Sequence, residues 1–506
     1  MSDESIRDFR GLFTGSGILF VGLVAELGLS LLSKIIIARY LGRTDYGGIA
    51  LGATLVAMCS TVALAGMHTG VARFLPRFDN QNDRHGIIFS AFAVVAGVSI
   101  ILSSGIFLLA PTLAKAIFHS PELGPVLAIF ALAIPLSALM RIAIGVSQGY
   151  QQTVPKVLAR NISFPIIRFG SVAIVVLLGF GRLGIASSYV VAYAFSAGIG
   201  IWYVFRKTSF RLSVPDRFHM TSLISFSAPL LISSMLTLVL SDIDTLMLGY
   251  FSTEGDVGVY NVIYPIGVLL LMFLRSFRFL TLPKISELDA TESYASMRRQ
   301  YHLVGKWIFL TTTPVFALLV VYPEFIIQTL FGNEYASGSL ALIVLTVGFY
   351  IHAILGLNGT TLTSIGRTRL ILLDNIAAAG LNIGLNFWLI PRYDFIGAAI
   401  STTASYILIN ILYSIQLYYV RSIPPITFKI SITAVSATAV IAVWVKINNL
   451  MPSTLSNIVT FTFAFGLCYV SIAVGVIGVE QEEIDLVLHT KDKISERFSH
   501  ISKIFN

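Results

Sequence analysis

Ser241–Tyr260, SDIDTLMLGYFSTEGDVGVY, ends one apolar run, turns, and opens the next. A weaker copy lies near the start of the chain at Lys34–Ala50, KIIIARYLGRTDYGGIA. With one gap, Tyr40-Leu41 falls on Tyr250-Phe251, and Asp45-Tyr46-Gly47 falls on Asp256-Val257-Gly258. Two further anchors keep nearly the same spacing. Asn161-Ile162 recurs as Asn375-Ile376, and Gly184-Ile185-Ala186-Ser187-Ser188 recurs as Gly397-Ala398-Ala399-Ile400-Ser401. Matches that share one spacing point to an internal duplication whose second copy begins near residue 219. The alternative is chance similarity between apolar segments.

Composition places the chain in a membrane. Apolar residues make up 56% and charged residues only 12% of the 506. A spanning helix needs about 20 apolar residues, and such runs follow one another almost end to end. The period-two alternation of a membrane β-barrel is absent. The predicted fold is therefore an all-α integral membrane protein of about 14 helices. The first copy holds spans 12–38, 46–70, 86–110, 123–147, 158–180 and 183–205. The second holds 222–250, 258–280, 307–323, 338–358, 368–390 and 396–418, and a pair at 429–446 and 456–478 has no counterpart. The expected domains are 1–218, 219–420, the extra pair in 421–480, and a cytoplasmic amphipathic tail at 481–506.

The formal charge of +8 is no sign of nucleic acid. Most Lys and Arg fall in connections on one side, such as Arg73, Arg77 and Arg84, or Arg206, Lys207, Arg211 and Arg217. Acid marks the other side, as at Glu254 with Asp256 and at Glu324 and Glu334. The positive-inside bias then places both termini in the cytoplasm of a multi-pass cell-membrane protein. No small-residue cleavage site follows the first apolar run, so no cleaved signal peptide is expected. The longest inner connection, Lys284–Lys306, reads as an amphipathic stretch lying on the membrane surface. Cys59 and Cys468 both fall inside apolar runs, and no disulfide is expected. Pro135, Pro165, Pro229, Pro265 and Pro314 interrupt spans. Each is a hinge candidate or a static kink.

The motifs of soluble enzymes are missing: no GxxxxGK[ST] phosphate loop, HExxH, CxxC pair or GxSxG. Asp242-Ile243-Asp244 resembles the metal-binding pair of membrane glycosyltransferases, but the large outer loop that such a site needs is missing too. No enzyme, metal or cofactor is expected.

Charges inside helices are costly in lipid and face a watery cavity or one another. Arg168 lies roughly 15 Å from the inner surface at about 1.5 Å per residue, near the midplane. Glu26 is about as deep. Arg141, Arg275 and Arg278 sit in the inner third, where long side chains also reach the headgroups by snorkelling. Lys34, Asp242 and Asp244 sit in the outer third. The surplus is basic, which suits an anionic substrate, and arginine suits phosphate through its paired donors. Arg168, Arg141, Arg275, Arg278 and Lys34 are thus the headgroup candidates. Glu26, Asp242 and Asp244 are the candidates for coupling or gating. In the gapped alignment Lys34 falls opposite Asp244, so Lys34 with Asp244, or with Asp242, is a candidate outer gate.

IIARYLGRTDYGGIAL followed by GMHTGVARFLPRF resembles the N-terminal half of polysaccharide repeat-unit flippases. SDIDTLMLGYFSTEGDVGVYNVIYPI, then LPKISEL, NGTTLTSIGRTRL and GAAISTTASY, resembles their second half. These belong to the multidrug/oligosaccharidyl-lipid/polysaccharide exporter superfamily. The resemblance implies two six-helix bundles in a V around a central cavity, with two added helices. It implies alternating access driven by an ion gradient, with H+ or Na+ as coupling ion, or by membrane potential. The implied substrate is an oligosaccharide joined by phosphate or pyrophosphate to a polyprenol in the bilayer, and polysaccharide-assembly proteins are implied partners. Family members use cationic residues on the first and eighth helices, which here implies Lys34, Arg275 and Arg278. Two readings stay beside it: an ion-coupled multidrug extruder of the same superfamily, and a membrane glycosyltransferase or ligase.

Overall fold

The computed structural model describes residues 3–208, 210–211, 214–215, 218, 220–448, 455–476 and 478. The expected tail at 481–506 lies outside them. The described chain is helical: α1 Asp3–Leu64, α2 Met67–Phe74, α3 Gln81–Ala116, α4 Gly124–Gly149, α5 Val154–Lys156, a π-helical stretch Val157–Ser163, and α6 Phe164–Leu178. There follow α7 Gly181–Lys207, α8 Met220–Phe251, α9 Glu254–Val268, α10 Leu271–Ala290, α11 Tyr294–Val321 and α12 Pro323–Phe331. The last are α13 Ser339–Leu355, α14 Leu357–Ser364, α15 Thr368–Arg421, α16 Phe428–Asn448 and α17 Leu455–Val476.

Among the described residues, 11 helices are long and apolar enough to cross a bilayer, or 12 if α9 and Leu271–Arg278, bent by 47°, form one span. The expected count of about 14 is higher because α1 and α15 each hold two predicted spans joined across a kink. α1 carries its break inside, at Gly42 (φ 74°, ψ 174°), and α15 carries one at Asp394 (φ 49°, ψ −131°). Each break leaves backbone groups that a lipid-exposed chain cannot leave unpaired. The breaks fall at related places. Gly42 lies three residues before Asp45, and the α8–α9 break at Thr253 lies three before Asp256. Gly181 (φ 58°) lies three before Gly184, and Asp394 (φ 49°) three before Gly397.

The chain forms two compact units. The first is Met1–Leu269, Pro323–Phe349 and Thr368–Ile411. Its core is built on Phe130, Ile37, Leu51, Tyr260, Tyr335 and Phe349, all essentially inaccessible. Leu177 and Leu108 are 85% and 75% exposed. Large apolar side chains outside and serines, threonines and asparagines within is the arrangement that lipid as solvent selects. Thr253 closes a capping box with Asp256 and starts α9, satisfying two backbone donors that would otherwise be orphaned.

The second unit is Leu270–Tyr322, Tyr350–Arg367 and Leu412–Asn506. Here α10 runs on to Ala290 and α11 begins at Tyr294, so Lys284–Lys306 is the joined ends of two helices rather than one surface-lying helix. Its apolar residues Ile285, Met297, Tyr301 and Val304 are buried in the protein. Arg421 clamps this hairpin, with Nη2 2.7 Å from Asp289 Oδ1 and its guanidinium 4.8 Å from the Tyr294 ring centre. Cys59 and Cys468 are both free thiols.

Candidate functional site

Two polar clusters lie inside the first unit. The first is cationic and centres on Arg168, on α6. Its side chain is 94% buried, and Nε and Nη2 have no hydrogen-bond partner. The guanidinium instead faces two rings, 5.3 Å from the centres of both Phe164 and Tyr189. Phe164 precedes it by one turn of α6, and Tyr189 is presented by α7. Lys34, half-buried on α1, is within electrostatic reach of Arg168 on one side and Asp242 on the other. Asp242 accepts a hydrogen bond from Ser241 Oγ.

Glu26 meets Arg160, with Oε1 3.9 Å from Nε, and lies within reach of Lys156 and Arg168. Arg160 was not among the sequence candidates. It belongs to the π-helical stretch, whose Asn161 is buried with Nδ2 unpartnered. The Asn161-Ile162 anchor contains one of them and adjoins the other, but a sequence gives no sign of a π-helix. Arg141 Nη1 donates to Thr61 Oγ1 at 2.7 Å and to Ser60 Oγ at 3.4 Å. It is bound to hydroxyls of α1, not free to reach a surface.

The second cluster surrounds Asp244, which is 1% exposed on α8. Tyr260 OH donates to Oδ2 at 2.6 Å and Asn386 Nδ2 to Oδ1 at 2.5 Å, and Thr402 Oγ1 also donates to Oδ2. Asn386 Nδ2 also donates to Asn382 Oδ1 at 3.1 Å, while Asn386 Oδ1 is buried without a partner. The expected pairing of Lys34 with Asp244 is not made. Asp244 is held by neutral donors from α9 and α15, and the acid within reach of Lys34 is Asp242. The sequence named Asp244 but not its ring. Tyr260 closes the stretch quoted at the outset and Thr402 lies in GAAISTTASY, yet their meeting is a tertiary fact.

Arg275 and Arg278 lie in the second unit, exposed on α10. The structure therefore gathers Arg168, Lys34, Arg141, Glu26, Asp242 and Asp244 in the first unit and leaves these two in the other.

Chemically the first cluster is a cation with open donors, and the second a buried carboxylate held by three neutral donors. The chain is similar to known transport proteins. A probable low-salt glycan biosynthesis flippase of Haloferax volcanii, Agl15, is 23% identical over 417 residues, covering 82% of this chain and 84% of that protein. A putative O-antigen transporter of Shigella flexneri is 21% identical, covering 76% and 92%. Among solved structures, the lipid II flippase MurJ in an inward closed conformation aligns with TM-score 0.74 at 14% identity, over 91% of this chain and 98% of that one. An inward-facing multidrug resistance transporter of the MATE family aligns with TM-score 0.66 at 14% identity, over 81% and 99%. At such identities the likeness is one of fold. The MatE family matches residues 229–388. The polysaccharide biosynthesis protein family matches residues 12–289, more than half of the chain, and this protein belongs to that family.

Proposed function

We propose that this chain is a flippase. It moves a polyprenyl-phosphate- or pyrophosphate-linked oligosaccharide from the cytoplasmic to the outer leaflet of the cell membrane, for surface polysaccharide or glycoprotein glycan assembly. The observation that carries the reading is Arg168: a guanidinium buried in a membrane span, with two nitrogens lacking a hydrogen-bond partner. Desolvating such an ion costs several kcal/mol, and each aromatic face returns only about 0.5–2 kcal/mol. The difference is what an anionic headgroup supplies. Lys34 adds a second cation beside it. The names borne by Agl15 and by the O-antigen transporter agree with this substrate class.

In the proposed topology both termini are cytoplasmic, and α1 and α15 each cross twice about their breaks, which brings the crossings to fourteen. Residues 1–218 and 219–420 form two related six-helix bundles, followed by an added pair within 421–480. The matched breaks at Gly42 and Thr253, and at Gly181 and Asp394, support the duplication. The headgroup crosses between the bundles while the lipid tail stays in the bilayer. Arg168 with Lys34 binds it, and Arg275 and Arg278 on α10 are further headgroup candidates. Asp244, ringed by Tyr260, Thr402 and Asn386, takes the coupling H+ or Na+. Arg160 exchanges Glu26 for the anionic headgroup as the cavity fills, which leaves Glu26 free for coupling or gating.

Deleting the gene and analysing the cell's lipid-linked glycans tests the reading. Complete polyprenol-linked oligosaccharide should accumulate on the cytoplasmic face while the surface glycan is lost. An unchanged lipid-linked pool with altered resistance to organic cations would favour the drug extruder, the second reading. The MatE match and the carboxylate at Asp244 are what that reading has in its favour.

A further inference from the structure

The span made of α5, the π-helical stretch and α6 carries three cations, Lys156, Arg160 and Arg168. An α-helix advances about 100° per residue. On an unbroken helix Arg160 would stand about 80° from Arg168, and Lys156 about 120° from it, on different faces. The π stretch Val157–Ser163 lies between them. Its hydrogen bonds reach one residue further than those of an α-helix: the Phe164 N–H donates to Ala159 O. One residue is thereby taken up without turning the helix. With it absorbed, Lys156 and Arg160 each fall within about 20° of Arg168. Pro165 explains why the stretch sits where it does. It has no N–H to donate, and in an α-helix its ring would press on the carbonyl of Asn161, one turn earlier.

The tertiary structure agrees with that alignment. Glu26 on α1 is an acid on which all three cations act, and α1 packs against both the π stretch and α6. Arg160 Nε is 3.9 Å from Glu26 Oε1, and the two side chains are 52% and 25% exposed, so this face is open. We propose that Lys156, Arg160 and Arg168 form a ladder for a phosphate or pyrophosphate group, set on one face by the π stretch. By the topology proposed above Lys156 is the cytoplasmic rung. The group enters there, displaces Glu26 from Arg160 and ends at Arg168. The proposal rests on the flippase reading and adds two ligands and a path to it.

Three features suit this role. First, the rungs climb. At about 1.5 Å per residue, Lys156 and Arg160 stand about 6 Å apart along the axis, and Arg160 and Arg168 about 12 Å. Long side chains shorten both steps. Second, the counter-ion is held loosely. An ion pair of that length and exposure is weak, and a phosphate matches the paired donors of a guanidinium better. Third, the stretch is poorly made for packing alone. Asn161, beside Arg160, is 1% exposed and its Nδ2 has no hydrogen-bond partner. A buried donor left open is a cost, and π-helical turns gather at functional sites. The positive-inside bias accounts for basic residues near the cytoplasmic end of a span, but it is blind to which face they share.

The test turns Arg160 without moving its flanks. Deleting Leu158 or deleting Ile162 returns the stretch to α-helix, and either way Lys156 and Arg168 stay in line. The two deletions differ at Arg160. Loss of Leu158, which is 41% exposed, turns Arg160 about 100° off the common face, whereas loss of Ile162 leaves it there. Full-length chains in lipid nanodiscs are titrated with farnesyl pyrophosphate. The parent and the Ile162 deletion should bind alike. The Leu158 deletion should bind about tenfold more weakly, the loss of one charge-assisted contact. Adding Arg160→Asn with Asn161→Arg to the Leu158 deletion returns an arginine to the face and should restore binding. Equal affinity of the two deletions overturns the ladder. If thermal unfolding shows that either deletion is misfolded, Leu158→Arg with Arg160→Leu in the undeleted chain keeps the charge near the same depth but moves it nearly to the far side of the helix. That variant should bind as weakly as Arg160→Ala, and affinity equal to the parent's overturns the ladder in favour of snorkelling cations. A parent chain that does not bind the probe overturns it as well. The flippase reading is decided separately, by the lipid-linked pool of the gene-deleted strain.

Discussion

Arg168 shows how much one residue's surroundings decide. Arginine at that depth in a span is unusual in itself, and the two rings and the two unpartnered nitrogens set it apart. Arg168→Ala should lower glycan export at least about tenfold, the loss of a single charge-assisted contact. Arg168→Lys should recover only part of it, because a point charge lacks the paired donors of a guanidinium. Export measured against membrane expression level checks both. Asp244 offers a second residue-scale prediction. Asp244→Asn keeps the shape and most of the hydrogen bonds, so the protein should fold and reach the membrane. Export should then lose its dependence on the H+ or Na+ gradient, measured by flipping into vesicles with and without that gradient. Thr402→Val removes one hydrogen bond to the carboxylate, worth about 1.5–3 kcal/mol. It should weaken ion dependence without abolishing it.

At the scale of elements, the breaks matter more than the helices. Gly42 holds φ 74° in the middle of α1, and a Cβ there would also lie 2.9 Å from Glu334 Oε2. Gly42→Ala should therefore destabilise by about 1–3 kcal/mol, the usual cost of backbone strain. Gly97→Ala and Gly105→Ala on α3 meet open space and should be neutral or slightly stabilising, since alanine is the better helix former by about 1 kcal/mol. Thermal unfolding in detergent separates the two outcomes. Pro265 sits inside α9, just before the 47° bend into Leu271–Arg278. A proline frees a backbone carbonyl and bends the helix. Pro265→Ala should straighten that span and slow export while leaving the unfolding temperature within a few degrees.

For the whole molecule the relevant scale is the balance of charge and lipid. A chain with 12% charged residues has few ions to bury, and two that it buries in the first unit, Arg168 and Asp244, are of opposite sign and stand in separate clusters. That separation suits a carrier that holds an anion at one place and a cation at another. Labelling single cysteines placed at each terminus with a membrane-impermeant reagent should show both on the cytoplasmic side. Modification of either from outside would reverse the proposed direction of every span.

The sequence by itself determined the solvent and the periodicity. Apolar runs of bilayer length and scarce charge specify helices in lipid, and Asp45-Tyr46-Gly47 with Asp256-Val257-Gly258 marked the two places where the chain turns. It also named Arg168, Lys34 and Asp244, because a charge in a span is conspicuous in any such chain. Only the tertiary structure decided what those charges meet. Hydrogen bonds between α8, α9 and α15 turned Asp244 away from the cation expected for it and toward Tyr260, Thr402 and Asn386. The π-helical stretch at Arg160 was equally out of reach. The ring around Asp244 depends on how stretches remote in sequence approach within a few ångströms. Hydrophobic periodicity fixes which face of a helix is apolar, but not which neighbour that face will find.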